Sequence, residues 1–454
     1  MPSRRDLLRL GLVMAAAGAF KSAVARAQDV QSAPFKAGAG RAEVVFADDI
    51  FPIDGFVAEH DLLAVRVLLL DDGEHRTAIA VVDLTSITDG TIASFKSILT
   101  EIADVSAENA LVCASHTFSA PHVFPPDQMP AGTDAARNDA KAKAFEVALR
   151  QAAQAAVTAM RPARLGFGEG VSRVSVNRDV ETPFGWWLGA DDAGFTDPAL
   201  GIVRLEADDG TPLAIVMNFA VQSSVMDGSE RASGGKLISA DLAGRAARFV
   251  EDHYGADTVA LFLVGAAGDQ APYLQAARHV VDANGNVGRE DIHETGFTIL
   301  DLLGERLGQD VVRTADAISM DSATTLQTHR ATIEVPGQGS SPKNRPVGPV
   351  ASFAYEPAGS VDMPVALMRL GDVAIVGVQP ELSASIGVTI KRGSPFAHTM
   401  VVTMVDGGAK YMADALAYDR YTYEARNSPF AKGAAEMAAA KIIDLLNALK
   451  SDND

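Results

Sequence analysis

Residues 109–122 read NALVCASHTFSAPH. The first half is a short apolar run with the look of a buried strand, and the second opens on His116 next to small and polar residues. A histidine directly after a buried strand sits where a sheet delivers side chains into a cleft. Taken singly, such a histidine is as well explained as a turn residue.

Three further apolar runs end in the same way: NFAVQSSVM (residues 218–226), VGAAGDQAP (264–272) and VGVQPELSA (376–384). Strands that end together would bring His116, Gln222, Asp269 and Glu381 to one edge of a sheet. Each has a plain structural alternative. Asp269 could cap a turn, and Glu381 could sit at a helix start, where the dipole favours an acid. His60-Asp61 precedes a strand and could face the same edge or form a turn pair. His122 lies close to His116 in sequence. Trp186-Trp187 would either stack on a ligand or pack under a loop.

Between these motifs, strand and helix patterns alternate. LLAVRVLLLDDGEHRTAIAVVDL (62–84) is two strands around an Asp-Asp-Gly turn, and GIVRLEADDGTPLAIVMNFAV (201–221) repeats the design. RAEVVFA (41–47) is expected to open the fold as a strand, after an arm over residues 28–39. Residues 136–160 form an Ala-rich helix, 293–317 another, and GAAEMAAAKIIDLLNALK (433–450) a closing one. Residues 336–348 are a Pro/Gly/Ser-rich loop. Hairpins mixed with helices predict an α/β fold of mixed, twisted sheets with flanking helices, not a doubly wound nucleotide fold. GAAGD lacks the Lys-Ser/Thr of a phosphate loop, and there is no G-x-S-x-G elbow.

The chain has 454 residues, 48% of them hydrophobic, and a formal net charge of −19. That charge opposes nucleic acid and anionic lipid surfaces. The single cysteine, Cys113, lies in an apolar strand and reads as core. Residues 1–27 carry Arg4-Arg5, an apolar stretch too short to span a bilayer, and the small-x-small site Ala25-Arg26-Ala27. This resembles a twin-arginine signal and implies bacterial export in the folded state to the periplasm or beyond. No other run is long and charge-free enough for a membrane span. Oligomeric state is not legible.

Seven segments in order resemble the N-terminal catalytic domain of the neutral (non-lysosomal) ceramidases, from about residue 40 to 450. They are His116-Thr117-Phe118-Ser119-Ala120-Pro121 for H-T-H-S-G-P, Asn177-Arg178-Asp179 for N-R-S, and Phe219–Ser224 for F-A-V-H-P-T. Ser239-Ala240-Asp241-Leu242-Ala243-Gly244 stands for S-x-D-x-x-G, Gly268–Pro272 for G-D-x-S-P, and Gln379-Pro380-Glu381 for P-G-E. Tyr411 and Tyr423-Glu424 stand for a tyrosine pair near the end. The resemblance implies a single α/β domain over 40–450, without the immunoglobulin-like domain that typical members add.

It also implies a zinc ion held by His116, the residue at 222, Glu381 and Tyr411. Gln222 replaces an imidazole with a weaker amide donor, so another divalent ion or none is equally compatible. Phe118 replaces a second polar histidine. Ala271 replaces the family's serine, and a methyl cannot attack a carbonyl. Arg178 and Tyr423 match residues that hold the carbonyl or its oxyanion, with Asp269 beside the vacant serine position. The expectation is a metal-assisted amidase or esterase-like hydrolase in lipid metabolism that uses water. The alternatives are an inactive protein binding a lipid or glycan, and a lyase or isomerase using tyrosine and arginine.

Overall fold

Side chains alternate between two apolar environments along nearly every strand, and this builds the layers. In Ala64–Asp71, Val65, Val67 and Leu69 face one core while Leu68 and Leu70 face another. Arg76–Val82 and Ala110–Ala114 divide in the same way: Ala78, Ala80 and Val112 to the first core, Ile79, Val81, Leu111 and Cys113 to the second. A sheet apolar on both faces must be covered on both.

The computed structural model describes residues 35–125, 128–321, 325–339 and 347–451. Its main sheet has eight strands, in the order Val259–Val264, Pro212–Phe219, Ala199–Ala207, Arg161–Val171, Lys36–Glu43, Ala64–Asp71, Arg76–Val82 and Ala110–Ala114. The pair at each end is parallel and the pairs between are antiparallel. Helices Asp89–Ala103, Ala135–Ala159, Asp241–Tyr254 and Gly296–Ala315 cover one face through Phe95, Leu149, Leu242 and Leu307.

The other face packs on a four-stranded sheet, Leu326–Gln338, Pro357–Leu370, Val373–Val378 and His398–Val402, through Met368, Ile375, Met400 and Val402. Helices Ala384–Gly393 and Ala434–Ser451 close its far side with Ile386, Ile390, Ile442 and Leu446. The layers run helix, sheet, sheet, helix. Main-chain bonds stitch the two sheets at one end: Ala114 N donates to Met404 O (3.1 Å), Asp406 N to Val112 O (2.7 Å) and Thr403 N to Val264 O (3.0 Å).

The opening strand differs from expectation. It is Lys36–Glu43, five residues earlier than RAEVVFA suggests, so residues 36–39 belong to the sheet and not to an arm. The reason is packing. Gly38 and Gly40 let the Ala-rich helix lie against the strand's backbone, and a Cβ on Gly40 would meet Ala152 O at 2.1 Å. Small residues weaken the hydrophobic signal while allowing a close approach. The long hairpin of Leu326–Gln338 and Pro357–Leu370 was also hidden, because much of its tip is exposed and polar. The signal-like residues 1–27, and most of the Pro/Gly/Ser-rich loop, lie outside the described residues. Among those described, no helix is long and apolar enough to cross a membrane.

Gly40→Val should destabilise the protein by about 3 kcal/mol in chemical denaturation, because backbone atoms cannot give way. Gly90→Ala, which meets nothing within 4 Å, should leave stability unchanged or raise it by up to about 1 kcal/mol. Equal effects would show that the strand–helix approach is not the constraint.

Candidate functional site

His116 follows Ala110–Ala114 with a left-handed φ of 59°, an unusual state for a residue with a side chain. The turn aims the imidazole inward, where it is buried. Nδ1 faces Thr85 O at 2.6 Å and Nε2 faces Glu381 Oε2 at 2.9 Å. Both ring nitrogens meet acceptors, so the arrangement suits the imidazolium. Burial pushes the imidazole pKa down, but the Glu381 carboxylate and the Thr85 carbonyl outweigh it, and the net shift is upward. Burial likewise disfavours the Glu381 carboxylate, but His116 and Arg178 hold its pKa below the ordinary value.

Glu381 comes from the second sheet's side. It lies in the short strand Glu381–Leu382, paired in parallel with Tyr411–Met412, so that Glu381 and Tyr411 are register partners. Gln222 reaches the same point from the loop after Pro212–Phe219, and its Nε2 donates to Glu381 Oε2 at 2.7 Å. That loop is fixed by Asp241, which is fully buried and accepts from Val225 N and Met226 N at 2.9 Å each. Burial pushes the Asp241 carboxyl up to about 6 against these bonds.

Arg178 is the second centre. Its Nη1 donates to Gln222 Oε1 (2.8 Å) and its Nε to Glu424 Oε1 (2.7 Å). The guanidinium lies 5.2 Å from the Tyr411 ring and 5.8 Å from the Tyr423 ring. Tyr423 packs edge-on to Tyr411 and to Trp187, each at 5.8 Å. His116, Glu381, Gln222, Arg178 and Glu424 thus form one chain of alternating charge with a neutral amide in the middle. Beyond Glu424 stands Asp179. Burial first, then Glu424 and Asp269, drive the Asp179 carboxyl well above its usual range.

The structure therefore brings His116, Gln222, Glu381, Tyr411, Arg178 and Tyr423 together. Asp269 lies close by but is engaged: Oδ1 accepts from Ala384 N (2.8 Å) at the start of Ala384–Gly393, and Oδ2 from Asn177 Nδ2 (3.3 Å). Burial pushes its pKa up to about 6. Phe118 is half-buried with its ring edge-on to His116, centroids 4.7 Å apart. Ala271 is buried in Gln270–Pro272, opposite Val176 on the strand that carries Arg178.

Other candidates are structural. His60 stacks on Phe297 at 3.6 Å, and Asp61 accepts from Ser239 Oγ, Ala240 N and Arg248. Trp187 is wall rather than exposed platform, while Trp186 lies under Arg420 at 4.1 Å. Cys113 is buried core, its thiol pKa raised by burial. Asp179 and Glu424 were missed as a pair. The only signal was their adjacency to Arg178 and Tyr423.

Two solved structures share this architecture. One is the neutral ceramidase of Pseudomonas aeruginosa, with a TM-score of 0.71 at 16% identity over 92% of this chain and 75% of that one. This is the neutral ceramidase fold. A structure described as ceramidase complexed with C2 gives 0.70 at 17% identity, covering 92% and 76%. No protein-family model and no curated protein matches the chain. The ceramidase-like architecture thus persists with little sequence in common.

The zinc set implied by the resemblance can be tested on its donors. One imidazole, one carboxylate and one amide meet around Glu381 Oε2 within 2.9 Å, with the Tyr411 phenol alongside. Among the described residues no group of three His, Cys, Asp or Glu side chains is arranged to hold a metal ion. As they stand, the heads are bonded to one another: Glu381 Oε2 accepts from Gln222 Nε2 and faces His116 Nε2, and Gln222 Oε1 accepts from Arg178 Nη1, so an ion would have to displace these bonds. In strength the four heads fall short of two imidazoles and a carboxylate.

The His116–Glu381 pair carries a pH signature. Stabilisation from His116 is full below its ordinary 6.5 and is lost as pH rises through its higher folded value. That from Glu381 is full above its ordinary 4.5 and is lost as pH falls through its lower folded value. In chelator-treated protein, Glu381→Gln should cost about 3 kcal/mol of unfolding free energy at pH 5–6 and less toward either extreme. A pH-independent cost would refute the ion pair.

Proposed function

We propose that the chain is an exported, ceramidase-like hydrolase that cleaves an amide or ester of an acyl substrate with water in place of the missing serine. The observation that carries this is the packing of the Arg178 guanidinium on the Tyr411 and Tyr423 rings, 5.2 and 5.8 Å away, beside the His116–Glu381 pair. Burial first, then Glu381, keeps the Tyr411 phenol protonated, so it acts as a donor. Arg178 is fixed by Glu424 on one side and Gln222 on the other, so its charge is pre-set where negative charge would develop on a carbonyl oxygen. With no ion bound, the Glu381 carboxylate favours the charged form of His116, which could then give a proton to the leaving group; as a ligand His116 would be the neutral imidazole and could not. Phe118 and Trp187 supply apolar wall.

His116, Glu381, Tyr411 and the Gln222 oxygen would hold zinc or another divalent ion. Such an ion would polarise the carbonyl and make water more acidic. The chain's own part is to present these heads dry and in register: Asp241 holds the Gln222 loop, and strand pairing sets Glu381 beside Tyr411.

A second reading is favoured by one observation: Ala271 and Phe118 stand where reactive groups are implied, and the polar heads satisfy one another. The protein would then bind an acyl compound without cleaving it.

The test is elemental analysis of the exported protein together with N-acyl amide and acyl ester hydrolysis. Hydrolysis that falls at least about 100-fold in Arg178→Met supports the first reading. Tight binding of the same compounds without turnover supports the second. Gln222→His should raise zinc occupancy at equal zinc activity. With Ala271→Ser added, amide turnover should rise. No gain in zinc would show that the four heads do not act as a ligand set.

A further inference from the structure

A basic rim adjoins this site in an otherwise acidic chain. Lys236 and Lys410 have no carboxylate within ion-pair reach among the described residues, although the sequence holds 58 acids against 39 lysines and arginines. His122 is exposed, and its backbone covers the buried Lys141. Lys141 Nζ donates to Asp54 Oδ2 (2.8 Å) and to His122 O (2.6 Å), and His122 N donates to the same Asp54 oxygen (3.0 Å). Asp54 is thereby spent on Lys141, and the charges on Lys236 and Lys410 stay uncompensated.

The heads are braced. Lys236 N donates to Gly55 O (2.9 Å), and its Nζ lies over the Phe56 ring at 4.4 Å. The His122 ring stacks on Phe124, centroids 5.6 Å apart and 10° from parallel. Lys410 is held at a left-handed φ of 60°, and its carbonyl accepts from Glu381 N at 2.8 Å. It is the residue before Tyr411, and His122 follows His116 on the same loop, so rim and site share two chain segments. Burial, then Lys141, Lys236 and Lys410, lower the His122 pKa, while Asp54 opposes them. His122 N and Lys236 N both bond to the Asp54–Gly55 turn, so these two residues flank one turn.

We propose that His122, Lys236 and Lys410 form an anion-binding rim that takes a carboxylate, sulfate or phosphate group of the ligand held at the His116–Arg178 site. Two unpaired ammonium groups and a titratable imidazole suit a group carrying one or two negative charges. The likeness to ceramidases does not suggest this choice. It gives the proposed acyl substrate a negatively charged end, and to that extent rests on the hydrolase reading.

The test uses the full chain and sulfate alone. The His122 imidazole resonance, assigned with His122→Gln, is titrated in sodium sulfate and in sodium chloride of equal ionic strength. The seated anion favours the charged imidazole, so sulfate should raise the His122 pKa by about half a unit or more. In K236A/K410A the rise should vanish. No rise in the native protein, or an equal rise in the variant, overturns the rim.

A second arm compares binding of N-lauroylglycine and N-lauroylethanolamine. The native chain should prefer the anionic compound roughly tenfold, and the variant should not. A sulfate response without this preference overturns the link to the acyl ligand and leaves a site for free anions. Neither readout needs turnover, so absence of hydrolysis would count against the enzyme reading alone.

Discussion

The apolar contact between the two sheets positions everything else. Leu68, Ile79, Leu111 and Val216 from one sheet meet Met368, Ile375 and Met400 from the other in one core, and Asn218 bridges the sheets by donating to Leu263 O and Val401 O. Because backbone bonds stitch the sheets at one end, the loops that leave them there cannot drift apart. His116 and Gln222 emerge from the first sheet. Glu381 and Tyr411 emerge beside the second. A site assembled from two sheets is only as well defined as the interface beneath it, and close-packed apolar surfaces resist sliding.

Within the site, the charges explain why so many polar groups tolerate burial. His116 offsets Glu381, and Arg178 offsets Glu424. Gln222 joins the two pairs through opposite ends of one amide. Burial, and the shortage of positive charge that a further carboxylate at 179 brings to the cluster, push the Asp179 carboxyl toward its neutral form. The glutamine can donate to a carboxylate and accept from a guanidinium at once, which gives it a physical role in this environment whatever it replaces.

The strands around His116, Gln222 and Glu381 were legible because each is a continuous apolar run ending in small or polar residues, the pattern that sheets buried on both faces require. The resemblance then picked out the residues that converge. What stayed hidden depends on approach rather than pattern. Lys36–Glu43 reads as an arm because Ala and Gly carry little hydrophobic signal, yet those residues admit a helix to within contact of the backbone. Asp269 stood out because it follows a strand and lies beside the substituted serine position. Its bond to Ala384 N, 115 residues away, has no trace in local sequence. The Asp179–Glu424 pair likewise joins two segments 245 positions apart in numbering.

The place of Lys36–Glu43 in the sheet bears on how the chain can assemble. It is the earliest strand in sequence, yet it is the sole bridge between Ala64–Ala114 on one flank and Arg161–Val264 on the other. Neither flank can complete the sheet with its own strands. Lys36–Glu43 meets Ala64–Asp71 soon after it in sequence, but its other partner, Arg161–Val171, lies more than a hundred residues downstream, so joining the two flanks is a long-range event of the kind that slows folding.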